Sequence, residues 1–171
     1  ADEQFDENFL KISPNNKIPA IVDHDGPNGK AITVFESGAI LLYLAEKYGE
    51  FLPDNLREKT ECMEWLMWQM GGFGPFLGQA HHFNKFAPEE VPYAITRYNN
   101  EAKRLWSVLD QRLENRTFIL GDDLSIADFA VYPWAMRYEW QLINPADYPA
   151  AHSWMERMGQ IEFVQFGMQV P

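Results

Sequence analysis

Only one cysteine, Cys62, occurs among the 171 residues, so no disulfide can close within the chain, and a reducing cytoplasm suits it. A lone thiol could be a nucleophile, but free cysteine is more often a small buried residue, and Cys62 sits in an apolar helical pattern. Positive charge is scarce: 14 Lys and Arg against 25 Asp and Glu leave a net charge of −11, which opposes a polyphosphate partner. An anionic small molecule stays compatible, provided its site supplies local positive potential. No apolar run approaches the roughly 20 residues of a membrane span, and no basic-then-apolar leader stands at the start. P-loop, GxGxxG, GxSxG and HExxH patterns are all missing. The chain opens at Ala1 without methionine, and its first elements read as the middle of a larger unit.

Apolar residues make up 46%, which argues against disorder, and the length fits one domain or two small ones with a real core. Two short apolar stretches, about 18–23 and 31–35, flank the turn formers Asp25-Gly26-Pro27-Asn28-Gly29 and predict a β-hairpin. A weakly amphipathic segment, 3–12, precedes it and ends before Ser13-Pro14. The second strand runs into Glu36-Ser37 and a helix to about Lys47, with Ile40, Leu41, Leu44 and Ala45 at helical spacing. Tyr48-Gly49 stops that helix. Residues 50–55, with Pro53, read as a linker.

Beyond it the pattern is helical. A helix over about 56–83 places Met63, Leu66, Met67 and Met70 on one side, and Gly71-Gly72-Phe73-Gly74-Pro75 should bend it. A second, about 91–115, carries the stripe Ile95, Tyr98, Ala102, Leu105, Trp106, Leu109 and Leu113. A third runs from Ser125 to about Trp140, and a last helical region follows Tyr148-Pro149. The fold class is α+β: a partial α/β unit, 1–49, then an all-helical domain, 56–171.

Four features carry chemistry, each with a plain structural alternative. Pro19 at a strand start is permitted simply because it lacks a donor; a cis bond there would instead leave the Ile18 N–H and C=O free for a ligand's peptide group. Ser37 reads as a helix N-cap, yet the same geometry offers orphan N–H groups and a dipole to a carboxylate, with Glu36 beside it for an ammonium. Together they would complement an α-amino acid head. Ser125-Ile126-Ala127-Asp128 is a capping-box pattern whose role is structural, and Asp128 should be buried and satisfied by backbone N–H groups. His81-His82 is not a metal pair, because adjacent helical residues do not share a face; both read as surface or interface residues.

The segments NKIPAIVD, FESGAILLYLAEK, SIAD, WLMWQMGGFGPFLGQAHHF and PYAITRY, spread over nearly the whole chain, resemble the glutathione transferase superfamily, most closely its bacterial Nu class. The resemblance implies the C-terminal part of a thioredoxin-like domain, an all-α C-terminal domain and a homodimer. It implies glutathione as co-substrate, no metal, and glutathione or its disulfide as partner, without nucleic acid or membrane. By the same similarity, Ile18 before cis-Pro19 pairs with the cysteinyl backbone, Lys17 lies near the glycyl end with Asn16 beside it, and Glu36 and Ser37 hold the γ-glutamyl head. Arg97 matches an arginine that approaches a second glutathione. The implied activity is glutathione-dependent disulfide-bond reduction or transfer; the alternative is a non-enzymatic interaction or regulatory protein of the same fold. The family's first strand, helix and second strand, and with them the thiol-activating residue, are expected upstream of Ala1, so no catalytic residue is assigned here.

Overall fold

Asp6 opens the first regular helix: its carboxylate accepts the Asn8 N–H at 2.8 Å and caps α1 (Glu7–Ile12). In the computed structural model, which describes residues 2–170, the chain divides at the Leu52–Pro53 junction into two units. In the first, β1 (Ala20–Asp23) pairs antiparallel with β2 (Ile32–Phe35), from Ala20 opposite Phe35 to Asp23 opposite Ile32. The connection turns through Asn28 and Gly29, both at positive φ. Both strands are shorter than the sequence pattern suggests. Pro19 has no N–H to give a ladder, so Ile18 and Pro19 stay outside it. The helix α2 (Ser37–Tyr48) follows and ends at Gly49, whose φ of 69° and N–H bond to the Ala45 carbonyl at 2.9 Å close the last turn. Among the described residues of this unit, the buried ones are Ile40, Ala45 and Gly38 on α2 and Ser13.

The second unit is helical throughout. Asn55 caps α3 (Leu56–Trp68), accepting the Glu58 N–H at 3.0 Å. The expected bend is a π turn, Gln69–Phe73, and the helix then continues as α4 (Gly74–His81) into a second π turn, His82–Phe86. The buried line of α3 is Cys62, Leu66, Gln69 and Phe73, which corrects the methionine stripe: Met67 is exposed, and Met63 and Met70 are half-buried. Cys62 is wholly buried and burial pushes its thiol up, so it is a core residue. The long α5 (Pro92–Leu113) buries Ala102, Leu105, Trp106, Leu109 and Leu113 of the predicted stripe, whereas Ile95 and Tyr98 are half-buried and Ala94 is the buried residue of the first turns.

Next, α6 (Ile126–Ala135) ends earlier than the pattern to Trp140 suggests. Buried Gln141 accounts for this: its amide donates to the Trp134 carbonyl at 2.7 Å and its oxygen accepts the Trp106 indole N–H at 2.6 Å. The side chain thus adds a second donor to the Trp134 carbonyl, which also accepts the Arg137 N–H at 3.2 Å, and closes the helix end. The chain closes with α7 (Pro149–Gly159) and α8 (Glu162–Gly167). Among the described residues, no helix is long and apolar enough to cross a membrane.

Asp128 fixes this unit. Its carboxylate accepts the Ile119 N–H at 2.9 Å, the Ser125 N–H at 3.0 Å, the Ser125 hydroxyl at 2.9 Å and the Trp154 indole N–H at 3.0 Å. Burial pushes the carboxyl up, while these four donors favour its charged form. Replacing Asp128 with Ala should therefore lower stability by about 3–5 kcal/mol in denaturant unfolding, since several buried donors lose their acceptor. Exposed Asp123→Ala should stay within about 0.5 kcal/mol.

Candidate functional site

The loop between α1 and β1 folds on itself. The Asn16 N–H donates to the Ser13 carbonyl at 2.9 Å, with Asn16 at φ 49°, and the Ser13 hydroxyl donates to the Lys17 carbonyl at 2.7 Å. Next comes the Ile18–Pro19 bond, which is cis. Ile18 stands 78% exposed, and neither its N–H nor its C=O has a hydrogen-bond partner among the described residues. This loop faces the junction of β2 with α2 across a cleft of about 250 Å³ lined by Ser13, Asn15, Lys17, Ile18, Pro19, Phe35, Glu36 and Ser37.

Glu36 adopts φ 70°, ψ 119°, a left-handed conformation that an ordinary side chain takes only when its surroundings impose it. Such a residue costs about 1–3 kcal/mol and is concentrated at functional sites. This corrects the cap assignment: Glu36, not Ser37, is the N-cap, and its carbonyl accepts the first helical bond from the Ile40 N–H at 2.9 Å. Ser37 is then the first helical residue. Its N–H, with those of Gly38 and Ala39, lies in the first turn of α2, where the positive end of the helix dipole faces the cleft.

The structure gathers Lys17, Ile18, Pro19, Glu36 and Ser37 around one cleft. Asn16 is not in the lining, whereas Asn15 is. Ser13 and Phe35 also line it, and the sequence reading passed over both. Phe35 had a signal, since it immediately precedes Glu36 at the strand end; Ser13 had none beyond its place before a proline. Arg97 lies in the helical unit, on α5, in an open hollow of about 570 Å³ with Phe76, Tyr93 and Arg104. Arg104 there forks onto Glu101 at 2.9 and 2.7 Å and holds that carboxyl below its ordinary value. Arg97 makes no hydrogen bond or ion pair with any described residue.

His81 departs from its surface assignment. It is buried, stacked on Trp134 with centroids 5.5 Å apart and edge-on to Trp140 at 5.5 Å. Gly74, Gly78 and His81 fall on one face of α4, and a Cβ at Gly78 would stand 3.2 Å from the Trp134 ring. Burial, helped by Arg137, lowers its ring to about 4, so it is neutral near pH 7. Among the described residues, no group of three or more His, Cys, Asp or Glu side chains could hold a metal ion.

At the far end of the hairpin, Asp23 accepts from Lys47 Nζ at 2.5 Å, from the Tyr43 hydroxyl at 2.6 Å and from the Asp25 N–H at 2.9 Å. Lys47 also donates to the Asp25 carbonyl at 2.6 Å. This clamp ties β1 and the turn to α2, whose first residues form one wall of the cleft.

Residues 1–47 match the pattern of the glutathione S-transferase N-terminal domain, and residues 75–162 that of the glutathione S-transferase C-terminal domain. The chain is 54% identical over 156 residues to the disulfide-bond oxidoreductase YfcG of Escherichia coli, an alignment covering 91% of this chain and 73% of that protein. It is 42% identical over 173 residues to the disulfide-bond oxidoreductase YghU of the same organism, covering 96% of this chain and 59% of that one. A glutathione transferase from Burkholderia graminis, solved with two glutathione molecules bound per subunit, superposes with a TM-score of 0.92 at 42% identity, covering 98% of this chain and 73% of that one.

The Asp23 clamp sets a pH window. The Lys47 bond, then the Tyr43 and Asp25 bonds, hold the Asp23 carboxyl at about 2 against an ordinary 3.8. A lowered carboxyl stabilises the fold fully above 3.8 and loses that contribution as pH falls through about 2. Carbonyl NMR titration should place the Asp23 midpoint near 2, and Lys47→Met should raise it towards 3.8. A wild-type midpoint already near 3.8 would contradict the clamp.

Proposed function

This chain belongs to the glutathione S-transferase family, and from that membership we propose that it binds glutathione in the cleft around Pro19 and Ser37 and serves glutathione-dependent reduction of disulfide bonds. The observation that carries the reading is the lining itself: one carboxylate, one hydroxyl on a helix N-terminus, one unpartnered backbone amide and one cation around a single cleft. Glutathione is a peptide with an amino acid head, a central amide and a terminal carboxylate, and each finds a counterpart. Glu36 takes the γ-glutamyl ammonium. Ser37 and the first turn of α2 take the adjoining carboxylate. The Ile18 N–H and C=O pair with the cysteinyl backbone as a short strand-like contact. Lys17, with Asn16 in the same loop, serves the glycyl carboxylate.

The chemistry needs two glutathiones. The thiolate of one attacks a sulfur of the substrate disulfide, that S–S bond breaks, and the departing thiolate takes up a proton. A second glutathione thiolate attacks the resulting mixed disulfide, releasing the second thiol and forming glutathione disulfide, so the two thiols supply the two electrons. Two bound glutathiones in the Burkholderia graminis relative support this stoichiometry. Arg97, which makes no hydrogen bond with any described residue of the hollow, is proposed as a carboxylate anchor for the second. The 171 residues are assigned recognition, and thiol activation is assigned to none of them. We extend the reading to a homodimer, for which exposed Leu56 and Met67 on α3 offer apolar surface, and to the cytoplasm, where a lone buried thiol stays reduced.

Calorimetric titration should show saturable binding of glutathione, weakened about 10- to 100-fold by Glu36→Gln and less by Ser37→Ala, as the loss of one charged hydrogen bond implies. Turnover of a mixed glutathione disulfide by the full-length protein, in the presence of glutathione, tests the enzymatic part. Binding without turnover would replace that part with the non-enzymatic alternative, and no binding would remove both.

A further inference from the structure

We propose that Ser13 is a positioning residue for glutathione, holding the Ile18 N–H in the direction that the ligand's cysteinyl carbonyl needs. The inference rests on the glutathione reading above and adds a residue to it. Ser13 is 1% exposed, yet it lines the cleft. Its N–H closes the end of α1, and its carbonyl and hydroxyl are both committed to the loop that follows. Its N–H donates to the Phe9 carbonyl at 2.8 Å, its carbonyl accepts the Asn16 N–H at 2.9 Å, and its hydroxyl donates to the Lys17 carbonyl at 2.7 Å.

The last bond is the informative one. The Lys17 carbonyl and the Ile18 N–H are two edges of a single planar, trans peptide unit, so they point in opposite directions. Fixing the carbonyl against a buried hydroxyl at one edge therefore fixes the direction of the N–H at the other. Little else restrains that plane. The Ile18 side chain is 78% exposed, so packing does not hold it, and neither residue belongs to the β1–β2 ladder. An amide fixed in advance loses less freedom when a ligand binds, which is the usual source of affinity from preorganisation. A purely structural role, closing the loop after α1, would instead affect stability and leave the ligand's individual groups undistinguished.

The test uses the whole chain, glutathione, and a glutathione analogue in which the Cys–Gly amide carbonyl is replaced by methylene. Ser13→Ala should bind glutathione up to about tenfold more weakly, the range of one neutral hydrogen bond, while wild type and variant bind the analogue alike. Ser13→Cys, which keeps the volume and a weak donor, should fall between them. Equal glutathione affinity in wild type and Ser13→Ala would overturn the proposal, as would an equal loss for both ligands, which would mark general loosening. If the wild type binds neither ligand, the glutathione reading itself fails. The Ile18 amide in the unliganded proteins still decides the positioning: its 15N relaxation should show a rigid plane in wild type and a mobile one in Ser13→Ala, and identical relaxation would overturn it.

Discussion

The buried Asp128 carboxylate gathers donors from the loop before α6, from Ser125 at the start of α6, and from Trp154 on α7, so three stretches of chain must meet at one pair of oxygens. An ionised carboxylate moved out of water costs several kcal/mol unless such donors replace its hydration. The replacement is full enough that the group serves as a fixed point around which apolar surface is arranged. Leu66, Trp106, Met158 and Trp154 are wholly buried in the same unit. The polar network determines which residues meet, and the apolar contacts supply most of the stabilisation.

The smaller unit is organised on the opposite balance. With so little apolar surface fully buried, its shape is held largely by polar ties: Asp6 on α1, the Ser13 loop, and the Asp23–Tyr43–Lys47 clamp. Backbone groups not absorbed by these ties or by the ladder remain at the cleft. Ile18 is left out because Pro19 breaks the strand behind it. At the start of α2, Glu36 turns at positive φ and gives no side-chain cap. The groups available to a ligand are thus those that regular structure cannot use.

Local pattern carried the elements into view. The hairpin turn formers, the C-terminal part of the α5 stripe from Ala102 and the serine–aspartate spacing at the start of α6 each act over a few residues, and the structure realises them. The failures are those of position in space. His81 was read with His82 as a surface or interface residue, but Gly74 and Gly78 on its face of α4 lie against Trp134, and His81 is buried on the same ring. Met67 looked like core until the Cys62–Leu66–Gln69 line took that face. The cleft was legible as Lys17, Ile18, Pro19, Glu36 and Ser37, since each belongs to a recognisable motif. Ser13 and Asn15 were not, because their place depends on how a five-residue loop folds back. The positive φ of Glu36 was hidden as well: nothing in a glutamate announces a conformation that glycine or asparagine usually takes.

An acidic protein that binds an acidic peptide poses an electrostatic question, and the cleft answers it. A net charge of −11 acts over the whole surface, but at physiological ionic strength exposed charges more than about 8 Å away are largely screened. Within that distance the ionisable side chains of the lining are Lys17 and Glu36, one of each sign, and the open end of α2 adds partial positive charge. The local field is therefore a set of separated poles matched to a zwitterionic head and a distant carboxylate. Such a site gains specificity from the spacing of its charges more than from their sum. That spacing is set by backbone: the Lys17–Ile18 peptide plane on one wall and the Glu36 turn on the other. A change that leaves every charge in place but frees either backbone segment removes the match, so the glutathione recognition proposed above depends on the loop and the turn as much as on the side chains they carry.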